Sequence, residues 1–311
     1  MSEQKLFPFM AYRKYAGIFS LVLIVISIAS LSFRGLNYGI DFSGGTEVKI
    51  TMQDSVVASD VQTILDPQFP GAKVQTIGGD TQLLVRVKAD NQEAPDTIVQ
   101  LIGDKFGEVI EASPQVMSAS FGEEMKWTGL TAMLIALALV MLYVGLRFQF
   151  KFSVGAVAAL IHDVIITLGF FSVFQFNFDQ SVLAAVLAVI GYSLNDTIVV
   201  SDRIRENFRN VNREEVDYII DRSLNETLGR TIITSVTTLM VLGALLIFGG
   251  DSLFGFSLAL FVGVLIGTYS SIYVAANVLM LMAVERKDLL VTVKAEDGEE
   301  EDIPDWLNKD D

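Results

Sequence analysis

Six stretches of the chain are apolar for long enough to cross a bilayer, and the segment between the first two is patterned differently. The apolar runs cover 16–33, 128–146, 152–176, 181–201, 231–248 and 253–284. A helix needs about 20 predominantly apolar residues to span the hydrocarbon core, so the pattern predicts six transmembrane helices, the fifth opening at residue 227. The first run follows Lys5, Arg13 and Lys14 and ends in small residues, as a secretory leader does. Its length, the five spans behind it and the lack of a clear A-x-A site predict an uncleaved anchor instead. Residues 34–127 carry shorter periodicities. They predict strands over 46–52, 72–77, 82–88 and 108–117 and helices over 56–66 and 94–106, with Pro95 near the start of the second helix. The order βαββαβ is that of a ferredoxin-like fold. The expected fold class is therefore a polytopic α-helical membrane protein with six transmembrane helices and a small α+β domain on the periplasmic side.

The connections set the orientation, because short cytoplasmic loops hold an excess of Lys and Arg. Arg147 and Lys151 lie between the second and third runs, and Arg203, Arg205, Arg209, Arg213 and Arg222 lie in the 202–226 loop between the fourth and fifth. Arg286 and Lys287 follow the sixth. The connections at 175–180 and 249–252 contain no Lys or Arg. Residues 1–15 and the tail from 285 are thus expected in the cytoplasm and residues 34–127 outside it.

Composition agrees with the membrane as solvent: 51% of the 311 residues are hydrophobic and the mean hydropathy is +0.48. The net charge of −15 is concentrated in residues 34–126, with fourteen acids against seven Lys and Arg, and in residues 295–311, with nine acids against Lys309. That distribution lacks the basic patch of a nucleic-acid binder. The acidic tail reads as a solvated, disordered end. With no cysteine and the single histidine His162, thiol chemistry, iron–sulfur clusters and multi-histidine metal sites have no residues to build them. No phosphate-cradling loop, catalytic triad or metal-ligand cluster is present, so neither a cofactor nor an enzymatic activity is expected.

The candidate chemistry lies in charges placed where lipid should be, since an ionisable group inside a span is costly unless paired or hydrated. At about 1.5 Å rise per residue, Asp163 in the third run, Asp196 near the end of the fourth and Arg230 at the opening of the fifth all fall in the cytoplasmic half of the membrane. Thr227, Thr231, Thr234 and Thr238 recur at i, i+4, i+7 and i+11 beside Arg230. Asn195 adjoins Asp196 and Tyr192 lies one turn before it, while Thr167 follows Asp163 by one turn. Tyr269, Ser270, Tyr273 and Asn277 make a similar stripe in the sixth run. Four polar helix faces are most simply satisfied by an internal hydrated path. Burial favours the protonated form of a carboxylate and a nearby arginine the ionised form, so a motion that brings Arg230 to Asp196 and withdraws it could load and unload a proton. Each proton crossing yields about 2.3 kcal/mol per 100 mV. A static Asp196–Arg230 salt bridge is the other reading of the same pair. For Asp163 a structural role stands beside a functional one, and His162 reads as a satisfied core residue. Gly263 and Gly267, spaced as G-x-x-x-G, read as close helix packing.

Two stretches carry a specific likeness: Gly39 to Thr46 (GIDFSGGT) and Gly191 to Asn207 (GYSLNDTIVVSDRIREN). With Ala159 to Val164 (ALIHDV) and Leu224 to Thr231 (LNETLGRT), they resemble the SecF family, subunits of the bacterial SecD–SecF complex within the resistance-nodulation-division superfamily. The resemblance covers nearly all of the chain outside the acidic tail. It implies one six-span half of a transporter in the bacterial inner membrane, with SecD supplying the other half. It also implies a role in Sec-dependent export driven by the proton motive force, beside the SecYEG channel and YajC and acting on translocating preproteins. The family positions matching Asp196 and Arg230 are those associated with proton transport. Two alternatives stay open: a small-molecule exporter of the same superfamily, disfavoured by the short outward domain, and a structural assembly factor that moves no protons.

Overall fold

The computed structural model describes residues 6–77, 79–89, 92–147, 150–210, 215–282 and 284. The acidic tail, with Arg286 and Lys287, and Arg213 lie outside the described residues. The chain opens with a 3-10 turn (Phe9–Tyr12) and α1 (Arg13–Phe33), then passes through a two-residue strand β1 (Asn37–Tyr38) and a one-turn helix α2 (Ile40–Ser43). It next builds β2 (Gly45–Met52), α3 (Ala58–Leu65), β3 (Lys73–Thr76), β4 (Gln82–Val87), α4 (Ala94–Phe106) and β5 (Val109–Met117). There follow α5 (Ala119–Arg147), α6 (Phe150–Phe174), the short strand β6 (Asn177–Phe178), α7 (Gln180–Asn210), α8 (Val216–Phe248) and α9 (Asp251–Leu281). Six of these helices are long and apolar enough to cross a membrane. Three of them outrun their apolar stretches. The helix of α5 starts before residue 128, α7 continues through Asn210 and α8 starts at Val216, so the 202–226 connection, expected as a loop, is largely helical. Hydropathy marks where lipid ends, whereas a helix satisfied by its own hydrogen bonds can continue into water.

The bundle has a packed centre and an apolar rim. Buried side chains concentrate on α6, α7 and α9, among them Phe152, Leu160, Phe171, Val186, Ile190 and Leu279. Along α1, α5 and α8, residues such as Ile18, Leu21, Leu139, Leu142, Ile233 and Val241 are exposed, as suits helices bathed in hydrocarbon. With lipid as apolar as the core, small residues decide how closely such helices pack. A Cβ at Gly263 of α9 would overlap the Val189 side chain of α7, and one at Gly267 would lie 3.1 Å from the Cβ of Ser193. Both glycines of the predicted packing motif therefore sit on the α7–α9 seam. Gly169 does the same for α6 against Ser27 of α1.

The α/β domain is a four-stranded antiparallel sheet in the order β3-β4-β2-β5, the ferredoxin-like arrangement expected from βαββαβ. Alternation along the strands puts Val48, Ile50, Leu83, Val85 and Val87 on one face, where Val61 and Leu65 of α3 and Ile98 and Ile102 of α4 cover them. The other face is polar and includes Glu47 and Arg86, cross-strand neighbours joined at 2.6 Å.

The glycine-rich segment found in sequence fastens this domain to the bundle. Strand β1 pairs in parallel with β6 between α6 and α7, and the amide of Gly39 donates to the Phe178 carbonyl at 2.9 Å. Asp41 accepts from the amide of Gln180 at 3.0 Å, while Asp179 accepts from Val182 at 3.0 Å and from the Ser181 hydroxyl at 2.6 Å. Free amides and the positive end of the helix dipole make a helix N-terminus a natural seat for carboxylates, so α7 is clasped from both sides. Gly45 has φ +113°, and a Cβ there would strike the Val87 carbonyl. This turn into β2 is one that only glycine makes freely.

Candidate functional site

Two acidic centres lie in the bundle, and α7 runs through both. The first surrounds Asp163 of α6, 1% exposed. One carboxylate oxygen accepts from the hydroxyls of Ser193 on α7 at 2.5 Å and Ser270 on α9 at 2.7 Å; the other is 2.9 Å from His162 Nδ1. His162 Nε2 is 3.2 Å from the Ser20 hydroxyl of α1, which is 3.0 Å from the Tyr269 hydroxyl. Tyr269 donates to the Ala16 carbonyl at 2.7 Å.

Donor counting orders this chain. The tyrosine has one hydroxyl hydrogen and gives it to Ala16, so Ser20 donates to Tyr269 and His162 Nε2–H donates to Ser20. The contact at Nδ1 then holds one further hydrogen between His162 and Asp163, because two acceptors alone would repel. Four helices thus meet at a unit whose charge is compensated in place. Thr167 donates instead to the Asp163 carbonyl at 2.8 Å.

The second centre surrounds Asp196 of α7, one turn beyond Ser193 and 4% exposed. Among the described residues its buried Oδ2 has no hydrogen-bond partner, and neither do the buried hydroxyls of Thr197 on α7 and Thr231 on α8. Arg230 on α8 is exposed and acts on Asp196 electrostatically. Among the described residues, however, no ion pair within 4.0 Å joins the two; arginine ion pairs that do form include those of Arg13, Arg86, Arg203 and Arg222. Tyr192 donates to Thr238 at 3.2 Å, which ties α7 to α8 one turn from Asp196. Thr227 and Thr234 donate to carbonyls of their own helix, and Asn195 points to the exposed side of α7.

Of the three charges expected to meet, then, Asp196 and Arg230 interact through electrostatics without an ion-pair contact, and Asp163 is engaged separately. His162 sits in the core with both ring nitrogens bonded. From the polar stripe of α9, Tyr269 and Ser270 join the Asp163 centre, while Asn277 donates to the Arg13 carbonyl at 3.2 Å. Sequence reasoning missed Ser20 and Ser193. The available signal for Ser20 was the recurrence of serine in α1, since Ser20 and Ser27 are both buried and Ser30 contacts Ser172 of α6 at 2.8 Å.

A bundle of membrane-length helices, a sheet domain fastened at one end and charges buried in the bundle define a multi-pass membrane protein with one extramembrane domain. Residues 99–285 match the family model described as protein export membrane protein SecD/SecF, C-terminal, and residues 29–56 match the SecD/SecF GG motif. Protein translocase subunit SecF of Pseudomonas aeruginosa is 43% identical over 91% of this chain and 93% of its own length. The Vibrio alginolyticus protein of the same name is 40% identical over 97% and 98%. In structure, SecDF from Thermus, described as a translocon-associated membrane protein, matches with a TM-score of 0.82 and 34% identity. The match covers 91% of this chain and 39% of that one. The chain belongs to the SecD/SecF family of protein-export membrane proteins, on the SecF side.

Proposed function

We propose that this chain is one half of a proton-driven machine that assists Sec-dependent protein translocation, with Asp196 as the proton-exchanging group and Arg230 as the charge that governs it. The observation that carries this reading is the unpartnered carboxylate oxygen of Asp196, buried opposite an arginine that does not contact it. A static salt bridge would be expected to close to hydrogen-bond distance, because an isolated buried charge is expensive. Buried polar atoms without protein partners call for water, and Asp196, Thr197 and Thr231 supply three of them on two helices that pack together. Such water would connect Asp196 to one side of the membrane. Movement of Arg230 toward the carboxylate would then favour proton release. Asp163 positions α7 for this exchange by holding Ser193.

Arg230 and Asn195 are exposed on helices surrounded by hydrocarbon, where a lipid-facing charge costs several kcal/mol. A second six-helix unit, SecD, would cover them, in keeping with the 39% share that the chain occupies of the Thermus SecDF chain. The complex would act on translocating preproteins beside SecYEG and YajC, without enzymatic chemistry of its own. The Lys and Arg distribution supports insertion in the bacterial inner membrane with both termini in the cytoplasm.

The test is protein export in cells depleted of the native gene and complemented with Asp196→Asn, after confirming that the variant inserts with its partner. Stalled export from an assembled complex is the expected result. Normal export would overturn proton use through this residue and leave a structural subunit.

A further inference from the structure

We propose that the N-terminal turn is a clamp on the cytoplasmic end of α8, and that Asp221 and Asn225 are positioning residues that through it set where Arg230 stands relative to Asp196. The purpose of the clamp rests on the proton-coupling reading, whereas the clamp itself stands on contacts.

Asp217, Asp221 and Asn225 recur every four residues along the part of α8 that precedes its apolar run, so they share one face of the helix. That face receives the backbone of residues 7–13. The Met10 amide donates to Asp221 Oδ1 at 2.8 Å. The Phe7 amide donates to Asn225 Oδ1 at 3.0 Å, and Asn225 Nδ2 donates back to the Phe7 carbonyl at 2.9 Å. Arg13 adds an ion pair to Asp217 at 3.6 Å, exposed enough to contribute little. Burial makes the dock firm. Phe9 and Met10 are 6% and 3% exposed and belong to the cluster that includes Phe208 of α7, Ile220 and Leu224 of α8 and Leu279 of α9.

The turn is in its own right held to the packed centre of the bundle. Phe9 meets Tyr273 of α9 edge-on, with ring centroids 6.2 Å apart, and the Arg13 carbonyl takes the bond from Asn277. At 100° per residue, Ser223 and Glu226 lie on the face of α8 away from the turn. There Asn207 of α7 donates to Ser223 at 3.0 Å and to Glu226 at 2.7 Å, so the end of α8 is gripped between the turn and α7. Further along, Ser235 meets Thr268 of α9 at 2.7 Å. Arg230 lies midway between Asn225 and Ser235, about 7.5 Å from each along the axis. No ion pair within 4.0 Å fixes its guanidinium to Asp196, so the path of the α8 backbone decides how near it comes. With the turn released, this end of α8 would be free to swing about its contact with α7.

The experiment reads the position of α8 and protein export in the same variants. The chain has no cysteine of its own, so spin labels at Ile233→Cys on α8 and Leu139→Cys on α5, both exposed positions, report the distance between these helices in the full chain in nanodiscs. Labels at Leu139→Cys and Leu265→Cys, the latter exposed on α9, give a reference distance. Adding Asp221→Ala/Asn225→Ala is expected to shift or broaden the α5–α8 distance, to leave the α5–α9 distance as in the wild type, and to lower export from assembled complexes. Asp221→Asn keeps an oxygen for the Met10 amide and should preserve both the distance and export. Should the alanine pair fail to assemble, Asn225→Leu, which removes both bonds to Phe7, is expected to give a smaller shift of the same distance. An unchanged α5–α8 distance, or a shift matched by the α5–α9 pair, would overturn the clamp whatever Asp196→Asn does. A defect in Asp221→Asn as large as that of the alanine pair would assign the effect to charge and overturn the hydrogen-bonded clamp. A selective shift with normal export, in cells where Asp196→Asn stalls it, would overturn the positioning role. Normal export with Asp196→Asn would instead break the coupling reading, with the clamp still decided by the distance.

Discussion

Asp163 and Asp196 are the same residue type, each almost wholly buried on neighbouring helices of one bundle, yet the protein treats them in opposite ways. Asp163 receives two serine hydroxyls and shares a hydrogen with His162, whose other nitrogen is anchored through Ser20 and Tyr269. Asp196 has a buried carboxylate oxygen with no hydrogen-bond partner among the described residues. A satisfied buried polar network fixes one arrangement of its helices, whereas a half-satisfied one is costly and persists where something is gained from it. The pair separates architecture from chemistry: the first carboxylate holds α6, α7 and α9 in register and the second is left able to change its state.

The largest break in that contrast comes from removing the satisfied acid. Asp163→Ala strands His162, Ser193 and Ser270 without their acceptor, and loss of one partner from a buried charged network costs about 3–5 kcal/mol. The expected outcome is a protein that fails to accumulate, or that melts at a much lower temperature in detergent than the wild type. Melting unchanged from wild type would mean that the Asp163 network is not structural. Next in size is Gly263→Val, which forces a branched side chain onto Val189 across the α7–α9 seam. Overpacking of this kind costs about 1–3 kcal/mol. Thermal melting should drop accordingly, with Gly145→Val, where a Cβ meets nothing within 4 Å, as the matched control.

How much of this was legible in sequence follows the physics of each signal. Span number and the βαββαβ order came from periodicities of about 20 residues, 3.6 and 2, each dictated by backbone hydrogen bonding and therefore written locally. The ends of α7 and α8 were not, because nothing in hydropathy says where a helix stops once it reaches water. Asp163, Asp196 and Arg230 announced themselves as charges in apolar runs. Their division into a satisfied and an unsatisfied centre did not, because it depends on Ser20 and Ser193. Serine in a membrane helix is common, and only the three-dimensional packing of α1 and α7 on α6 decides which serine finds an acid. The clasp on α7 was half visible: the glycine-rich run was plain, but the role of Asp41 required knowing that β1 lies against β6.

The contrast sharpens most in a variant that should leave stability alone. Asp196→Asn removes a charge that no hydrogen bond in the protein holds at Oδ2, so unfolding should shift by less than about 1 kcal/mol, within the range of substitutions that break no named interaction. The same change should abolish proton-dependent export. A large loss of stability would show that Asp196 is as structural as Asp163 and collapse the distinction.

The smallest effect should come from Thr231→Val, which is nearly isosteric and deletes a buried hydroxyl without a partner. If that hydroxyl were merely an unsatisfied group in a dry core, its removal should relieve a desolvation penalty and raise stability by about 1 kcal/mol. If it hydrogen-bonds water leading to Asp196, the gain should be close to zero and proton flux in reconstituted vesicles should fall while Asp196 remains intact. The second pattern is the expected one. Unchanged flux together with a clear rise in melting temperature would place Thr231 in a dry helix seam and confine the unsatisfied centre to Asp196 and Thr197 on α7 alone.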